Sequence, residues 1–214
     1  MNIEFGTYLV TQGSRSRGRT TEDIVAAAVA GGVDVVQLRE KGATARERYH
    51  LGRALREQTR DADVAFLVND RVDIAAAVDA DGVHLGDEDL PVAAARDVLG
   101  DGAIVGRSVS SVEAARRAVQ AGADYLGVGA VYATDSKDVR EEHAEIGPET
   151  VAAVADAVDV PIVGIGGITA ANAPDVIEAG ADGVAVVSAI TAADDPEAAT
   201  RELAEAVRSA RGSP

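Results

Sequence analysis

Apolar runs rich in β-branched residues alternate along the chain with longer stretches rich in Ala, Glu and Arg. The apolar runs predict strands near residues 6–11, 33–39, 65–69, 82–86, 104–108, 125–130, 161–166 and 183–188. Helical patterns lie near residues 20–30, 44–60, 71–78, 91–99, 111–121, 147–158, 169–179 and 196–211. Continuous apolar runs such as AFLVND and PIVGIGG suit strands that are buried on both faces.

Eight strand–helix units within 214 residues favour an α/β fold, a single (β/α)8 TIM barrel that spans residues 1–214. An internal repeat supports this interpretation. The segments AGGVDVVQLR, VDADGVHLG, AGADYLGVG and AGADGVAVV lead into predicted strands 2, 4, 6 and 8. Glycine can end a helix in a left-handed conformation and Asp can cap the turn that follows. The repeat therefore indicates a barrel made of βαβα units.

Composition narrows the class of protein. Aromatic residues make up only 3% of a chain that is 47% apolar, so the core must be built from Val, Ile, Ala and Leu. No apolar run approaches the ~20 residues of a membrane span, and the N-terminus lacks the pattern of a signal peptide. The chain has no cysteine, which excludes disulfides and a thiol nucleophile. We expect a cytoplasmic enzyme without a membrane partner.

The formal net charge of −16 argues against a nucleic-acid partner, because neutralising phosphates requires basic patches. The acidic residues are spread along the chain and do not form a tail. An acid-rich, lysine-poor surface is typical of a halophilic protein, because concentrated salt screens the self-repulsion. The oligomeric state is left open by the sequence.

Only two of the 20 cationic side chains are lysines, Lys41 and Lys137. In a (β/α)8 barrel the active site lies at the C-terminal ends of the strands, and predicted strand 2 ends just before Lys41. Side chains alternate between the two faces of a strand. Gln37, Arg39 and Lys41 are therefore expected to share a face, with two cations at the mouth of the barrel if Gln37 points inward.

Other polar residues follow neighbouring strands. Strand 3 ends in Asn69 and Asp70, strand 4 leads into HLGDEDL with Asp89, strand 5 ends in Ser108, and strand 6 runs into the loop that holds Lys137. Mg²⁺ prefers one or two carboxylates, with water and phosphate oxygens completing its shell. Lysine offers a compact charge to a phosphate oxygen. These strand ends therefore suit a Mg²⁺–polyphosphate ligand.

A second candidate anion site follows strands 7 and 8. VGIGGIT carries three glycines, which allow backbone N–H groups to approach an anion, and VVSAI places Ser188 before a helical turn. Barrels often bind phosphate at these two loops. The alternative is tight packing of glycine-rich strands. Two anion sites would suit two phosphorylated small-molecule substrates.

Six motifs, in order from Gln37 to Ile190, resemble the thiamine-phosphate synthase family: VQLREK, FLVND, GVHLGDEDL, GADYLGVGAVYATDSK, VPIVGIGGI and GVAVVSAI. The resemblance implies an enzyme that joins 4-amino-2-methyl-5-hydroxymethylpyrimidine diphosphate to a thiazole phosphate, or to its carboxylated form. The products would be thiamine phosphate and pyrophosphate. It also implies that the bond from the pyrimidine methylene to oxygen breaks first, and that the thiazole nitrogen attacks the resulting carbocation.

The resemblance also assigns residues. Contacts to the pyrimidine diphosphate are implied for Gln37, Leu38, Arg39, Glu40, Lys41, Asn69, Ser108 and Lys137. Those to the thiazole phosphate are implied for Thr134, Asp135, Ser136, Gly167, Val187 and Ser188. The implied Mg²⁺ ligands are Asp70 and Asp89. Catalysis would rest on Arg39, Lys41, Lys137 and Ser108, which face the growing charge of the leaving pyrophosphate.

The chain departs from the family pattern at three places. Ser110 stands where many relatives have His, Ser136 where they have Thr, and Ala130 where they often have Pro. A cousin, thiazole tautomerase, is thought to use a His at the place of Ser110, so its absence favours the synthase. A tautomerase or isomerase acting on one thiazole phosphate, and a barrel that only binds thiamine phosphates, remain the alternatives.

The three histidines do not indicate a zinc site. His84 lies within strand 4 and is interpreted as a packed or hydrogen-bonded core residue, while His50 and His143 are interpreted as solvated. The polar loop 132–146 could close over the mouth and exclude water, or it could be a surface loop without that role.

Overall fold

A computed structural model describes residues 3–134 and 145–212 of the chain. All strand pairs are parallel, and the order β1 to β8 closes with β8 pairing β1, so the described chain forms a (β/α)8 barrel. The strands are β1 Thr7–Val10, β2 Val35–Leu38, β3 Ala65–Asn69, β4 Gly82–Leu85, β5 Ile104–Val109, β6 Tyr125–Gly129, β7 Ile162–Ile165 and β8 Gly183–Val186. Each one falls at the position that the apolar runs predict, to within a few residues.

Helices connect the strands around the outside of the barrel. They are α1 Thr21–Ala30, α2 Ala45–Asp61, α3 Val72–Ala77, α4 Val92–Leu99, α5 Val112–Gln120, α6 Gly147–Ala155, α7 Ala173–Glu178, α8 Ser188–Thr191 and α9 Pro196–Ala210. A short 3-10 turn, Gly13–Arg15, follows β1. Among the described helices, none is long and apolar enough to cross a bilayer.

Side chains at the helix starts explain several of these boundaries. Thr44 accepts a hydrogen bond from the Glu47 N–H while the Glu47 side chain accepts one from the Thr44 N–H, a reciprocal cap for the first turn of α2. Thr20, Ser111 and Asp195 cap α1, α5 and α9 in the same N-terminal position. The boundaries that the sequence predicts for these helices lie close to the observed ones because such caps are local.

Two apolar layers hold the barrel together. The outer layer packs the strands against the helices and includes Leu38 on β2 and Phe66 on β3. The inner layer fills the barrel and includes Tyr8, Leu67 and Tyr125. Because neighbouring residues of a strand point to opposite faces, this division fixes which polar residues can point along the barrel axis.

The internal repeat places an aspartate just before each even-numbered strand. In every case its carboxylate accepts a hydrogen bond from the first or second N–H of the preceding odd-numbered strand, at 2.7–2.8 Å. The four pairs are Asp34 with Thr7, Asp81 with Phe66, Asp124 with Val105, and Asp182 with Ile162. The repeat therefore ties β1 to β2, β3 to β4, β5 to β6 and β7 to β8 at the end of the barrel remote from the strand C-termini.

One of these aspartates also holds a buried arginine. Arg56 of α2 donates two hydrogen bonds to the Asp81 carboxylate, at 2.8 and 2.9 Å. The two side chains are only 16% and 9% exposed. A paired fork of this kind matches the geometry of a carboxylate and offsets part of the cost of burying the two side chains.

Candidate active site

A cavity of about 380 Å³ opens at the C-terminal ends of the strands. It is lined by many of the polar and glycine residues that the sequence singles out. These are Gln37 and Arg39 after β2, Asn69 on β3, Ser108 on β5, Thr134 after β6, Gly167 after β7, and Val187 and Ser188 after β8. These predicted residues lie on or after six of the strands, and Tyr8 of β1 and His84 of β4 complete the ring of eight strands around the cavity.

Gln37 lies on the floor of this cavity. It is 4% exposed and points into the barrel. Tyr8 on the neighbouring strand β1 and Leu67 on the neighbouring strand β3 point the same way. The expected alternation is confirmed for Gln37 and Arg39, which line the cavity, and for Leu38, which packs in the outer layer. Lys41 lies beyond the end of β2 and does not line the cavity.

The structure does not bring the side chains of Leu38 and Glu40 into the cavity. Leu38 lies against the helix layer, close to Gly52 of α2. Both carboxylate oxygens of Glu40 accept from the Gly13 N–H, at 3.0 and 2.9 Å, and one accepts from the Thr21 hydroxyl at 3.1 Å. Glu40 therefore anchors the loop after β1, and neither side chain is placed to touch a ligand in the cavity.

Lys41 belongs to a loop that α2 holds in place. Arg48 donates to the backbone carbonyls of Glu40 and Lys41, both at 2.8 Å. The Lys41 side chain remains 59% exposed, and its Nζ lies 3.4 Å from Oδ2 of Asp70. The cation of strand 2 and the acid of strand 3 thus meet, but neither lines the 380 Å³ cavity. Asp70 lines a separate pocket with Asp89, while its neighbour Asn69 reaches the cavity.

Asp70 and Asp89 form the expected pair of carboxylates. Asp70 has a left-handed backbone, φ +63°, which Asp tolerates better than most residues, and this turns the chain as β3 ends. Asp89 accepts from the Gly86 N–H at 2.6 Å, which closes a tight turn after β4. Arg107 of β5 supports that turn by donating to Gly86 and pairing with Asp87 at 2.9 Å.

The two carboxylates repel each other. Burial raises the pKa of Asp70 above its usual value, and the neighbouring Asp89 raises it further, while Lys41 opposes the rise. A divalent cation between the two acids would remove this repulsion. Among the described residues no group of three or more His, Cys, Asp and Glu is arranged for a metal. Two carboxylates are a donor set that suits Mg²⁺, because that ion can complete its shell with water and phosphate oxygens.

The loops after β7 and β8 form the opposite wall. Gly166 and Gly167 have φ +106° and +64°, conformations that favour glycine, and a Cβ on Gly167 would lie 2.5 Å from the Ala133 carbonyl. Gly164 instead makes room for Val176 of α7. Close packing thus accounts for Gly164, and it also applies at Gly166 and Gly167, which in addition line the cavity.

Three residues of the predicted site, Asp135, Ser136 and Lys137, lie outside the described residues, as does His143. Thr134, immediately before them, lines the cavity. Closure of loop 132–146 over the mouth is one of the two interpretations of its sequence, and it stays a prediction.

Sequence reasoning missed several residues of the cavity. Tyr8 and Tyr125 meet on its floor and His84 lies beside them. In sequence, a tyrosine on a strand looks like an ordinary core residue. The signal that points to these rings is a glycine within each of the strands β5 and β6, which leaves space for a large neighbour. A Cβ on Gly106 would lie 2.2 Å from the Tyr125 ring, and one on Gly127 would lie 2.9 Å from the His84 ring. Arg15, after β1, also lines the cavity.

Comparison with known proteins gives one consistent result. A family model described as thiamine monophosphate synthase matches residues 7–190. The chain is 66% identical to a thiamine-phosphate synthase of Haloquadratum walsbyi, covering 98% of this chain and 94% of that protein. The corresponding values for the Haloarcula marismortui protein of the same name are 64%, 98% and 100%. A solved structure, thiamine phosphate pyrophosphorylase from Pyrococcus furiosus, is 41% identical, with a TM-score of 0.88 and 98% of each chain covered.

Proposed function

Because this chain belongs to the thiamine monophosphate synthase family, we propose that its transferase chemistry takes place in the cavity at the C-terminal ends of the strands. The enzyme joins the pyrimidine and thiazole moieties in thiamine biosynthesis. The observation that carries the proposal is that polar and glycine residues on or after all eight strands line one cavity. Strand ends that are far apart in sequence share a ligand only if the barrel brings them together.

The pyrimidine diphosphate is assigned to the side of the cavity formed by β2, β3 and β5. Gln37, Asn69 and Ser108 offer hydrogen bonds there, and Arg39 and Lys41 supply positive charge. The thiazole phosphate is assigned to the wall formed by Gly167 and Ser188. Binding both substrates in one cavity places the thiazole nitrogen near the carbon it attacks, which supplies orientation.

Asp70 and Asp89 would hold a Mg²⁺ ion, which when bound supplies positive charge close to the diphosphate. The raised pKa of Asp70 supports this assignment, since it reflects burial and like charge that a cation relieves. Lys41, 3.4 Å from Asp70, is close enough to share the same ligand.

Bond breaking leaves negative charge on the departing pyrophosphate. Arg39, Lys41 and Lys137 offset that charge, and the Ser108 hydroxyl contributes a hydrogen bond. No protein nucleophile is needed, because the thiazole nitrogen attacks the carbocation directly. The apolar side chains of Val163, Ile165 and Ala185, which line the cavity, keep water away from that cation.

One assay tests this function. Both substrates are mixed with the enzyme and Mg²⁺, and pyrophosphate is followed over time. We expect pyrophosphate release that requires the thiazole phosphate. A tautomerase would instead convert a thiazole phosphate without any pyrimidine diphosphate, and a binding barrel would release no pyrophosphate, so either result would overturn the proposal.

We also propose that the enzyme is adapted to concentrated salt. The net charge of −16 comes with exposed carboxylates over the helix layer, such as Asp63, Glu113 and Glu205. Salt near 1 M shortens the Debye length to about 3 Å and so removes most of the repulsion between surface charges.

A further inference from the structure

Five polar side chains form a continuous chain of hydrogen bonds across the floor of the cavity. The Gln37 amide Nε2 donates to the Tyr8 hydroxyl at 2.5 Å. The Tyr8 and Tyr125 hydroxyls are 3.0 Å apart. Tyr125 then lies 2.7 Å from Nδ1 of His84. The other ring nitrogen of His84, Nε2, is 2.9 Å from Oγ of Ser108. The chain thus links β2 to β5 through the barrel interior.

Both phenols in this chain stay neutral in the working pH range. Burial raises the pKa of Tyr8 to about 12 and raises that of Tyr125 well above its usual value. Each hydroxyl therefore carries one proton, which it can donate to only one neighbour at a time. Apart from the imidazole, no link in the chain can change its proton count near neutral pH.

The amide at one end of the chain determines the direction of every bond. An amide NH₂ group only donates, so Tyr8 accepts from Gln37 and gives its own proton to Tyr125. Tyr125 in turn gives its proton to Nδ1 of His84. Nδ1 therefore accepts, and the neutral ring carries its proton on Nε2.

We propose that His84 is a positioning residue that donates from Nε2 to Ser108, so that the Ser108 proton points into the cavity. Because Ser108 accepts from His84, its single proton is directed elsewhere, and an oxygen of the substrate diphosphate is an acceptor that can take it. This last step rests on the proposed function, whereas the direction of the hydrogen bonds from Gln37 to Ser108 does not.

The strands are shaped around these two rings. Gly106 of β5 leaves the space that the Tyr125 ring occupies, and Gly127 of β6 leaves the space beside the His84 ring. The ring centroids of His84 and Tyr125 are 5.4 Å apart. Side chains larger than hydrogen at either glycine would push the rings out of line. The arrangement is therefore built into the barrel.

The first test measures the imidazole directly. His84 is the only histidine left in a His50→Asn/His143→Asn double variant, since the chain has three histidines. The protein is labelled with ¹⁵N-histidine and studied at pH 8 without substrates. We expect NMR shifts of a neutral ring that is protonated on Nε2. A ring protonated on Nδ1, or on both nitrogens, would overturn the proposal whatever the enzyme does.

The second test reverses the direction of the hydrogen bonds. In Gln37→Glu the carboxyl group is first checked for ionisation by its infrared carboxyl stretch. An ionised carboxylate can only accept, so Tyr8 must donate to it, Tyr125 to Tyr8, and His84 to Tyr125 from Nδ1. We expect the His84 proton to move from Nε2 to Nδ1. Asn69→Asp is the matched control, because it makes the same amide-to-carboxylate change in the same cavity outside the chain, and it should leave the tautomer unchanged. A Gln37→Glu protein that keeps the proton on Nε2 would contradict the assigned direction.

The third test asks whether His84 acts through Ser108. His84→Leu removes the donor, whereas the side-chain amide of His84→Gln can still donate to Ser108. We expect kcat to fall about tenfold in His84→Leu, the scale of one lost hydrogen bond of this type, and to be largely restored in His84→Gln. In a Ser108→Ala background His84→Leu should have no further effect on kcat. Independent, multiplying losses would show that His84 has only a structural role.

Discussion

The Nζ of Lys41 lies 3.4 Å from Oδ2 of Asp70, at the ends of two neighbouring strands. This ion pair is too exposed to cancel the charge of the acid, since the lysine side chain is 59% exposed. Burial and Asp89 therefore still raise the pKa of Asp70. The folded protein keeps a carboxylate where its charge is unfavourable, which is the expected state of a metal ligand before the metal binds.

Asp70→Asn should stabilise the protein in the absence of metal. A raised pKa means that the folded state holds the proton more tightly than the unfolded state. The stabilisation that protonated Asp70 gives is complete below the ordinary pKa of 3.8 and is lost as the pH rises through the raised value. At pH 7 the neutral amide removes this penalty, and we expect Tm to rise relative to the wild-type protein.

The same experiment tests the metal. Mg²⁺ should raise the Tm of the wild-type protein, because a ligand that binds only the folded state stabilises it. It should leave the Tm of Asp70→Asn unchanged. Glu88→Gln is the matched control, since it removes an exposed carboxylate from the β4 loop outside the Asp70–Asp89 pair. A wild-type Tm that does not respond to Mg²⁺ would contradict the metal assignment.

Lys137→Ala should lower kcat by roughly 10²-fold, the scale of losing one preorganised donor to a developing charge. Arg116→Ala is a suitable control, because it removes one positive charge from an exposed position on α5. Pyrophosphate release under saturating substrates measures both variants. A near-normal rate in Lys137→Ala would refute its role in stabilising the leaving group.

Gly106→Ala should destabilise the barrel. The added Cβ would lie 2.2 Å from the buried Tyr125 ring, and overpacking of this kind costs about 2 kcal/mol. Gly102→Ala, four residues earlier, meets no atom within 4 Å and should cost far less. Urea unfolding compares the two variants, and equal midpoints would show that the Tyr125 ring can move aside freely.

Asp81→Asn should cost about 3 kcal/mol of unfolding free energy, because it leaves the buried Arg56 guanidinium without its charged partner. The equivalent change at Asp124 should cost less. Its carboxylate side chain is 44% exposed, so water already reaches this ion pair and can solvate the Arg96 guanidinium that loses its charged partner. Urea unfolding measures both losses of unfolding free energy. Both aspartates accept a hydrogen bond from a strand N–H, so the difference between the two losses reports the contribution of the buried ion pair.

Molar KCl should raise the midpoint of thermal unfolding relative to dilute buffer. The reason is that a net charge of −16 repels itself most strongly when ionic strength is low. Differential scanning calorimetry at a series of KCl concentrations measures the effect. Equal midpoints across the series would contradict adaptation to salt.

Local patterns were sufficient to predict the barrel and many of the residues that line its cavity. The apolar runs located the eight strands, and period-two alternation correctly placed Gln37 and Arg39 on one face of β2. The same alternation shows why Leu38 lies outside the cavity. Glu40 could not be placed in this way, because its partners Gly13 and Thr21 are set by the path of the loop after β1.

The hydrogen-bonded floor could not be predicted from sequence. Tyr8 and Tyr125 are 117 residues apart and meet only because the closed sheet brings β1 and β6 to the same level of the barrel. A buried tyrosine on a strand looks the same in sequence whether its hydroxyl is part of a network or not. His84 was accordingly interpreted as a core residue, and its hydrogen bonds confirm that part of the interpretation.

The four aspartates at the strand entries divide the ring into two-stranded quarters, because each one joins an odd strand only to the even strand that follows it. None of these four strand hydrogen bonds crosses a seam between quarters, although Asp81 and Asp124 also bind Arg56 on α2 and Arg96 on α4 across two of the seams. New chain ends placed at the seam between α6 and β7 would leave all four strand hydrogen bonds within uninterrupted segments. A cut between α1 and β2 would separate Asp34 from Thr7 along the chain. The barrel is therefore expected to tolerate circular permutation at alternate strand junctions.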